Sequence, residues 1–443
     1  MSSSSDQAVI LQILPALDQG GVERGTLEMA DAITRAGATA LVVSAGGRLE
    51  PHLRRVGALH IALPHCGSRN PLRMLRNARA LARIMNDHCV SLVHARSRAP
   101  AWVARLACRK PRAGGGRTPL VTTWHGVHAH GWPGKRLYNA VLASGVRVIA
   151  ISRHIAQRLA AEYHVGPDRL RTIPRGADVQ QFDPDAVSGQ RQHHLAEQWD
   201  IPPDLPVILM PGRLTHWKGQ GLLLQALTLL ARARPELKWC CVFAGSEPAG
   251  TRYAQELAAQ AAQAGLTDII RFGGHCDDMP AAMALAAMVV VPSLRPEPFG
   301  RVVVEAQAMG CPVIAAHHGA ATETVDHGVT GLCVPPNDAH ALADAILAVL
   351  SMPPAGLEAM GHAARQMVLA RYTTQAMQHA TLAVYDEVLH TALAPAFARL
   401  EPMRSMPAHP ADDTPGPQPA LQAAPQPASR PAPPFFQDHH LAG

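Results

Sequence analysis

The chain has 443 residues, a length that excludes a single small domain and favours two domains. Hydrophobic residues make up 47% and charged residues 17%, which fits a globular protein and excludes a coiled coil or a highly charged disordered chain. The net charge of +6 is unevenly distributed, because residues 1–185 carry 25 Lys and Arg against 12 Asp and Glu, while the remainder carries 15 against 22. The basic first part therefore predicts an anionic partner, such as nucleic acid, an acidic lipid surface or a phosphorylated substrate.

The sequence predicts neither a signal peptide nor a membrane span. The first six residues lack the basic and apolar regions of a secretory signal. The longest apolar run, 281–291, is shorter than the roughly 20 residues that cross a bilayer. The eight cysteines form no C-x-x-C pair and lie mostly in apolar runs, which favours reduced, buried thiols. We therefore expect a cytoplasmic protein.

Short strands alternate with helices along the first part of the chain. Strands are predicted at 9–14, 40–43, 92–94, 120–123, 146–151 and 171–174, with helices at 23–36, 72–85, 99–107 and 153–163. This alternation is typical of βαβ units in a parallel sheet.

The helix predicted at 72–85 is amphipathic and basic. Its apolar stripe is predicted to contain Leu72, Leu75, Ala78, Leu81, Ala82 and Met85. Arg73, Arg76, Arg79 and Arg83 lie mostly on the opposite side. The pattern predicts a helix that packs on a sheet through one face and exposes an arginine-rich face.

The alternation stops at 183–206, where polar residues and prolines accumulate, and then resumes. Strands are predicted at 207–210, 239–244, 269–272, 288–291 and 313–315, and helices at 221–233, 253–264, 279–286, 300–309, 339–350, 357–370 and 374–393. The predicted fold class is thus α/β, with two Rossmann-like, doubly wound parallel-sheet domains and a cleft between them.

The domain boundaries follow from these patterns. The first domain is predicted at 7–185, a linker at 186–206 and the second domain at 207–372. A helix at 373–393 is expected to pack back on the first domain. Residues 402–443 contain 11 prolines, a density that predicts a disordered tail.

The stretch from Arg295 to Gly310 carries the most informative pattern. Prolines on both sides of Glu297 favour an extended backbone there, so its carboxylate projects from a loop. Gly300 permits close approach of a ligand, and the first amides of the following helix, those of Gly300, Arg301 and Val302, form an anion site with the helix dipole. Together with Glu305 just beyond the first helical turn, this arrangement suits a polyhydroxylated phosphate ester.

Three other strand ends carry candidate ligand-binding residues. After the strand at 207–210, Gly212 frees the backbone, while Arg213 and Lys218 bring two positive charges that can neutralise a diphosphate. After the first strand, Gly20 and Gly21 offer backbone amides at a helix start. His125 follows the strand at 120–123, where it can contact a sugar hydroxyl or act as a base.

These motifs resemble those of the group 1 (family 4) glycosyltransferases, which have the GT-B fold. The resemblance rests on the Gly212-Arg213 to Lys218-Gly219 loop, the Glu297-Pro-Phe-Gly to Glu305 element and Gly328-Val-Thr-Gly331-Leu, and it covers about residues 9–393. The sequence segments 14–25 and 94–102 are similar to those of bacterial members that act on lipopolysaccharide or other cell-surface glycans.

The resemblance implies transfer of a sugar from a nucleotide diphosphate sugar to a glycan or lipid-linked acceptor, with retention and without a metal or other cofactor. It implies that Arg213 and Lys218 bind the diphosphate, Glu305 the ribose and Glu297 the donor sugar. His125 would lie near the reaction centre, while Gly20, Gly21, Gly212, Phe299, Gly300, Arg301 and Val302 would complete the donor site. The expected partners are the donor, the acceptor and an anionic membrane surface, and not nucleic acid.

Other functions of α/β proteins fit less well. A nicotinamide dehydrogenase needs G-x-G-x-x-G after the first strand, and the chain has Gly20-Gly21-x-x-x-Gly25 there. A sugar-nucleotide epimerase of the same architecture and a non-catalytic sugar-nucleotide-binding protein stay open as alternatives, because a fold alone does not fix a function.

Overall fold

The computed structural model describes residues 7–18, 20–111, 115–127, 134–248 and 250–400. The predicted tail at 402–443 lies outside the described residues. All described residues belong to one compact unit, and within it they form two parallel sheets with helices on both faces. The predicted α/β class with two Rossmann-like domains is confirmed.

The first sheet has seven parallel strands in the order β3-β2-β1-β4-β5-β6-β7. Its strands are Val9–Ile13 (β1), Thr39–Ser44 (β2), Leu59–Ala62 (β3), Leu92–Ala95 (β4), Leu120–Trp124 (β5), Arg147–Ala150 (β6) and Leu170–Thr172 (β7). The helices of this first domain are Gly21–Arg35 (α1), Glu50–Arg55 (α2), Pro71–Asp87 (α3), Arg98–Ala107 (α4), Lys135–Asn139 (α5) and Arg153–Tyr163 (α6). Helix Gly189–Gln198 (α7) follows, inside the segment predicted as a linker.

The second sheet has six parallel strands in the order β10-β9-β8-β11-β12-β13. Its strands are Val207–Pro211 (β8), Cys240–Ala244 (β9), Ile270–Gly274 (β10), Met288–Val291 (β11), Val313–Ala316 (β12) and Leu332–Val334 (β13). The helices of the second domain and the C-terminal region are Gln220–Ala233 (α8), Tyr253–Gln263 (α9), Met279–Leu285 (α10), Arg301–Ala308 (α11), Ala321–Thr324 (α12), Ala339–Leu350 (α13), Pro354–Arg371 (α14), Thr374–Leu389 (α15) and Leu393–Leu400 (α16).

Strands rich in buried β-branched and aliphatic residues form the centre of the core in both domains. β8, β9 and β11 are buried at every residue, as expected for central strands covered on both faces. Polar side chains fix several helix starts. The Asn70 side chain accepts hydrogen bonds from the first amides of α3, and the Ser152 side chain accepts one at the start of α6. These caps set where each helix leaves the sheet.

Helix α15 packs against the first domain, although it follows the second domain in the chain. Its Tyr385 is fully buried, and its hydroxyl lies 2.7 Å from Nδ1 of His94 on β4. Burial, together with the charge of Arg96, holds the pKa of His94 well below its ordinary value, so this imidazole is neutral. Where the chain returns to the first domain, the backbones at Gly176 and Thr373 are in close contact. A Cβ on Gly176 would lie 2.2 Å from the carbonyl carbon of Thr373.

Helix α3 differs from its predicted orientation. The buried residues of α3 are Met74, Asn77, Ala78, Leu81, Ala82 and Met85. Leu72 and Leu75, which were predicted in the buried stripe, are 77% and 45% exposed. At 3.6 residues per turn, Leu72 lies about 120° around the helix from the buried Ala78, on the side of the exposed arginines, and Leu75 lies at the margin of the buried face.

Several short elements are absent from the sequence-based prediction. β3 and β13 are edge strands of four and three residues, too short for a clear alternating pattern. α7 is polar and buries only Leu195, so its apolar periodicity is weak.

Within the described residues, no single helix is long and apolar enough to cross a membrane. Two consecutive helices, α13 and α14, meet the length and composition criteria only when they are taken together, and their axes differ by 110°.

Candidate functional site

The loops after β8 and β11 meet at the switch point of the second sheet. β8 and β11 are neighbours, and the strands that follow them in sequence lie on opposite sides of this pair. Ligands of doubly wound proteins bind at such a crevice, outside the carboxyl ends of the strands. The structure therefore places Gly212, Arg213 and Lys218 beside the loop that carries Glu297 and Gly300.

The two loops pack tightly against each other through backbone contacts. Gly219 has a φ of +90°, and a Cβ at this position would lie 2.2 Å from the carbonyl oxygen of Pro292. The amide of Leu294 also donates to the carbonyl of Trp217, with an N–O distance of 2.8 Å. A glycine at position 219 therefore keeps the two loops in register.

Lys218 and Glu297 form an ion pair across these loops. The Lys218 Nζ donates to Oε1 of Glu297 at 2.7 Å, and the Ser293 hydroxyl donates to the same oxygen at 2.5 Å. The two charged side chains are only 16% and 14% exposed. The ammonium also lies 4.6 Å from the centre of the Trp217 ring. Two residues predicted separately, a cation and a carboxylate, thus form one unit.

Residues after β12 support the backbone of Glu297. The Ala320 amide donates to the Glu297 carbonyl at 3.0 Å. Gly319 has a φ of +61°, and a Cβ on it would lie 2.5 Å from the same carbonyl oxygen. Nε2 of His318 lies 2.7 Å from the carbonyl oxygen of Ser293. These contacts fix the direction in which Glu297 projects.

Sequence reasoning missed Ser293, His318 and Gly319. All three follow β11 or β12, so the strand-end rule that led to Glu297 would also have found them had it been applied to every strand of the sheet. Ser293, Glu297, Gly300 and His318 line a small cleft together with apolar side chains.

The start of α11 has the backbone arrangement on which the predicted anion site depends. Gly300 is the N-cap residue with a φ of +77°, and the first helical backbone bond runs from the amide of Val303 to the carbonyl of Gly300. The amides of Arg301 and Val302 precede that bond, at the positive end of the helix. Phe299 lines the cleft but is 3% exposed and packs edge-on against Tyr372.

Glu305 is mostly buried on α11 and is held by a guanidinium. It is 8% exposed, and its Oε1 accepts a hydrogen bond from Nε of Arg301 at 3.3 Å. Nη1 of Arg301 donates to Glu28 of α1 at 3.0 Å. The helix that carries Glu305 is therefore linked to the first domain.

The first domain brings its own predicted residues to the carboxyl end of its sheet. Gly20, with a φ of +152°, precedes α1, and Gly21 is the first residue of that helix. Burial raises the pKa of Glu23 in the first turn of α1, and the positive charge of Arg213 opposes this rise. The start of α1 thus lies close enough to Arg213 for their charges to interact. The partly buried His125 directly follows β5 at the same sheet edge.

The Glu297 loop also contacts the first domain directly. The Ser152 hydroxyl donates to the carbonyl of Pro298 at 2.6 Å. The Glu323 carboxylate accepts the backbone amides of Arg153 at 2.9 Å and His154 at 3.2 Å, at the start of α6. A negative charge at a helix N-terminus is stabilising. The two domains are therefore held together next to the candidate site.

No three His, Cys, Asp or Glu side chains come together as a possible metal site in the part of the chain that the structure describes. The positive groups of the site are instead Arg213, Lys218 and the amides at the start of α11.

Comparison with known proteins gives matches in both domains. A model described as glycosyl transferases group 1 matches residues 192–367, and one described as glycosyltransferase family 4 matches residues 19–181. A glycosyltransferase structure from Rickettsia africae is 34% identical, with a TM-score of 0.79, and the match covers 87% of this chain and 99% of that one.

Two relatives are similar over the larger part of the chain. D-inositol 3-phosphate glycosyltransferase from Saccharomonospora viridis is 31% identical, and the match covers 61% of this chain but only 65% of that protein. GDP-mannose-dependent alpha-(1-6)-phosphatidylinositol monomannoside mannosyltransferase from Mycolicibacterium smegmatis is also 31% identical, with 66% and 75% covered.

We predict that Gly319→Ala destabilises the protein more than Gly328→Ala. Both glycines have positive φ, which costs an alanine about 1 kcal/mol. At position 328 a Cβ meets nothing within 4 Å, whereas at 319 it collides with the Glu297 backbone, which adds roughly 1–3 kcal/mol. Urea unfolding of both variants measures the difference. Equal losses would show that the Gly319 contact with Glu297 does not constrain the loop.

Proposed function

Because the chain belongs to the group 1 glycosyltransferases, we propose that it transfers a sugar from a nucleotide diphosphate sugar to a hydroxyl of a glycan or lipid-linked acceptor. We propose further that the product belongs to lipopolysaccharide or another cell-surface glycan. The observation that carries the proposal is the Lys218–Glu297 ion pair at the switch point of the second sheet.

The donor diphosphate is proposed to bind between Lys218, Arg213 and the start of α11. A guanidinium and an ammonium provide charge-assisted hydrogen bonds to phosphate. The amides of Arg301 and Val302 add donors at a helix N-terminus, a common phosphate site. Gly21, at the start of α1, would approach the same phosphates from the first domain.

Carboxylates at the two ends of this anion site suit the two sugars of the donor. Glu297 lies before α11 and Glu305 within it, so each carboxylate can accept hydroxyl hydrogen bonds on a different side of the diphosphate. Glu297 would orient the transferred sugar and Glu305 the ribose. His125 is proposed to contact the transferred sugar from the first domain.

In the proposed reaction the bond between the anomeric carbon and the phosphate oxygen breaks, and the diphosphate leaves with the electron pair. The acceptor oxygen bonds to the same face of the anomeric carbon and passes its proton to the departing phosphate oxygen, so the configuration is retained. Lys218 and Arg213 stabilise the charge that develops on the leaving diphosphate, which is where fixed positive groups lower a barrier most.

A surface at the start of α3 is proposed to bind an anionic membrane. It comprises the exposed Leu72, Leu75, Arg73, Arg76 and Arg79. Leu137 of α5 is also exposed. Leucines that can enter the interface, next to arginines that attract acidic lipids, fit a membrane-bound acceptor.

We predict that Lys218→Ala lowers kcat about tenfold or more while the protein stays folded. Charge-assisted contacts of this kind contribute about 2–4 kcal/mol at a transition state. Donor hydrolysis and transfer would be measured with a panel of radiolabelled UDP-, GDP- and ADP-sugars. The matched control is Lys238→Ala, which removes an exposed lysine of the same domain. An unchanged rate in Lys218→Ala would remove this residue from the mechanism.

We predict that turnover persists in excess chelator. The resemblance implies metal-independent transfer, and Lys218, Arg213 and the α11 amides supply positive charge at the proposed diphosphate position. The measurement is donor turnover with EDTA, with and without added Mg²⁺ or Mn²⁺. Activity that is lost in EDTA and restored by either ion would contradict this prediction.

We predict that the protein sediments with phosphatidylglycerol vesicles at roughly 0.05 M salt and is released at roughly 0.5 M, because salt screens the attraction. Leu72→Glu with Leu75→Glu should abolish binding at low salt. The control Val329→Glu adds one negative charge at a half-exposed apolar position of the second domain, and its matched partner is the single variant Leu72→Glu. Protein that stays in the supernatant at low salt would point to a soluble acceptor.

A further inference from the structure

A mostly buried group of charges joins the two domains beside the proposed donor site. Glu28 of α1 accepts hydrogen bonds from Nη2 of Arg175 at 2.9 Å and from Nη1 of Arg301 at 3.0 Å. Arg24 lies 3.7 Å from the same carboxylate, and Arg301 also contacts Glu305. We call these five residues the Glu28 cluster. The side chains of Glu28, Arg175 and Arg301 are only 12%, 5% and 14% exposed.

The position of Arg301 is unfavourable unless both carboxylates are present. Arg301 is the first residue of α11, where the helix dipole disfavours a cation, and burial disfavours it further. Burial alone would lower its pKa, but Glu28 and Glu305 outweigh burial and raise it. Its Nη2 is buried and donates no hydrogen bond within the described residues. The cation is therefore held in place by its two carboxylate partners.

The other arm of the cluster reaches the start of α1. Nη2 of Arg175 also donates to the carbonyl oxygen of Gly21 at 3.3 Å. A Cβ at Gly25 would lie 2.2 Å from that nitrogen, so this glycine makes room for the guanidinium. Burial lowers the pKa of Arg175 to about 9, which keeps it charged at neutral pH.

We propose that Glu28 is a positioning residue that aligns the two halves of the donor site, with Arg301 as its link to Glu305 and Arg175 as its link to Gly21. This inference rests on the proposed function, in which Glu305 binds the ribose and Gly21 lies against the phosphates. Glu28 touches no part of the donor. It sets how far the donor-binding groups of one domain lie from those of the other.

The test compares Glu28→Gln, Arg301→Gln, Arg301→Lys and the double glutamine variant with the wild-type protein. KM and kcat would be measured for whichever sugar nucleotide of the UDP, GDP and ADP panel the wild type hydrolyses. Each single glutamine variant should raise the donor KM about tenfold with a smaller change in kcat. The loss in the double variant should be smaller than the product of the two single losses, because both changes break the Glu28–Arg301 contact. Arg301→Lys should recover part of the loss.

The matched control is Glu387→Gln. Glu387 also pairs with two arginines, Arg147 at 2.9 Å and Arg171 at 2.8 Å, but these contacts join α15 to the edge of the first sheet. Its donor KM should stay unchanged. KM effects that multiply in the double variant, or no KM effect in either single variant, would overturn the inference.

Hydrogen exchange of the ligand-free proteins separates this inference from the proposed function. Arg301→Gln leaves the Glu28–Arg175 pair in place, so this variant keeps the contacts of the first domain and should fold. It should speed amide exchange in both α1 and α11, whereas Glu387→Gln should not. If the wild type hydrolyses no sugar nucleotide, the proposed function fails. The amide exchange rates of α1 and α11 still test whether the Glu28 cluster links the two domains. Unchanged protection of α1 in Arg301→Gln would overturn that link.

Discussion

The ion pair between Lys218 and Glu297 is the interaction around which the candidate site is arranged. Its two partners come from neighbouring strands whose chains leave the second sheet in opposite directions, so a crevice opens where they meet. A buried cation beside a buried carboxylate is stable only when further hydrogen bonds satisfy both groups. Ser293 supplies one of these bonds, and the loop after β12 fixes the backbone of Glu297.

Glycines make this close packing of loops possible. A side chain at position 219 would collide with the loop after β11, and one at position 319 would collide with Glu297 itself. Both residues have positive φ, which glycine adopts without strain. The site is thus built from backbone contacts between three strand ends, and its charged side chains are added to a rigid base.

Several polar contacts between the domains lie beside the site, next to an apolar cluster that includes residues of both domains. Glu28 meets Arg301, Glu323 caps α6, and Ser152 donates to Pro298. Burial would raise the pKa of Glu28, but Arg175, Arg301 and Arg24 outweigh it and leave the pKa lowered. The carboxylate therefore stays charged at neutral pH and contributes stability, which is lost only as acid protonates it.

The sequence alone determined the class of fold and most of the candidate site. Alternating strands and helices predict parallel sheets, and the strand ends carry Gly20, Lys218 and Glu297 in local motifs. Such features depend on neighbours in sequence: the period of apolar residues, the turn chemistry of glycine and proline, and the free amides at helix starts. Family resemblance added roles for these residues, and the structure places Lys218 and Glu297 together at the switch point.

Only the tertiary structure decided which distant residues meet and which apolar residues stay exposed. Glu28 and Arg301 are 273 positions apart, and no local pattern indicates that they share one buried contact. Leu75 lies close to the buried Ala82 around the circumference of α3, yet it is 45% exposed. Periodicity reports the face on which a side chain lies, whereas burial depends on whether another element covers that part of the face. That depends on the path of the whole chain, which the local patterns do not specify.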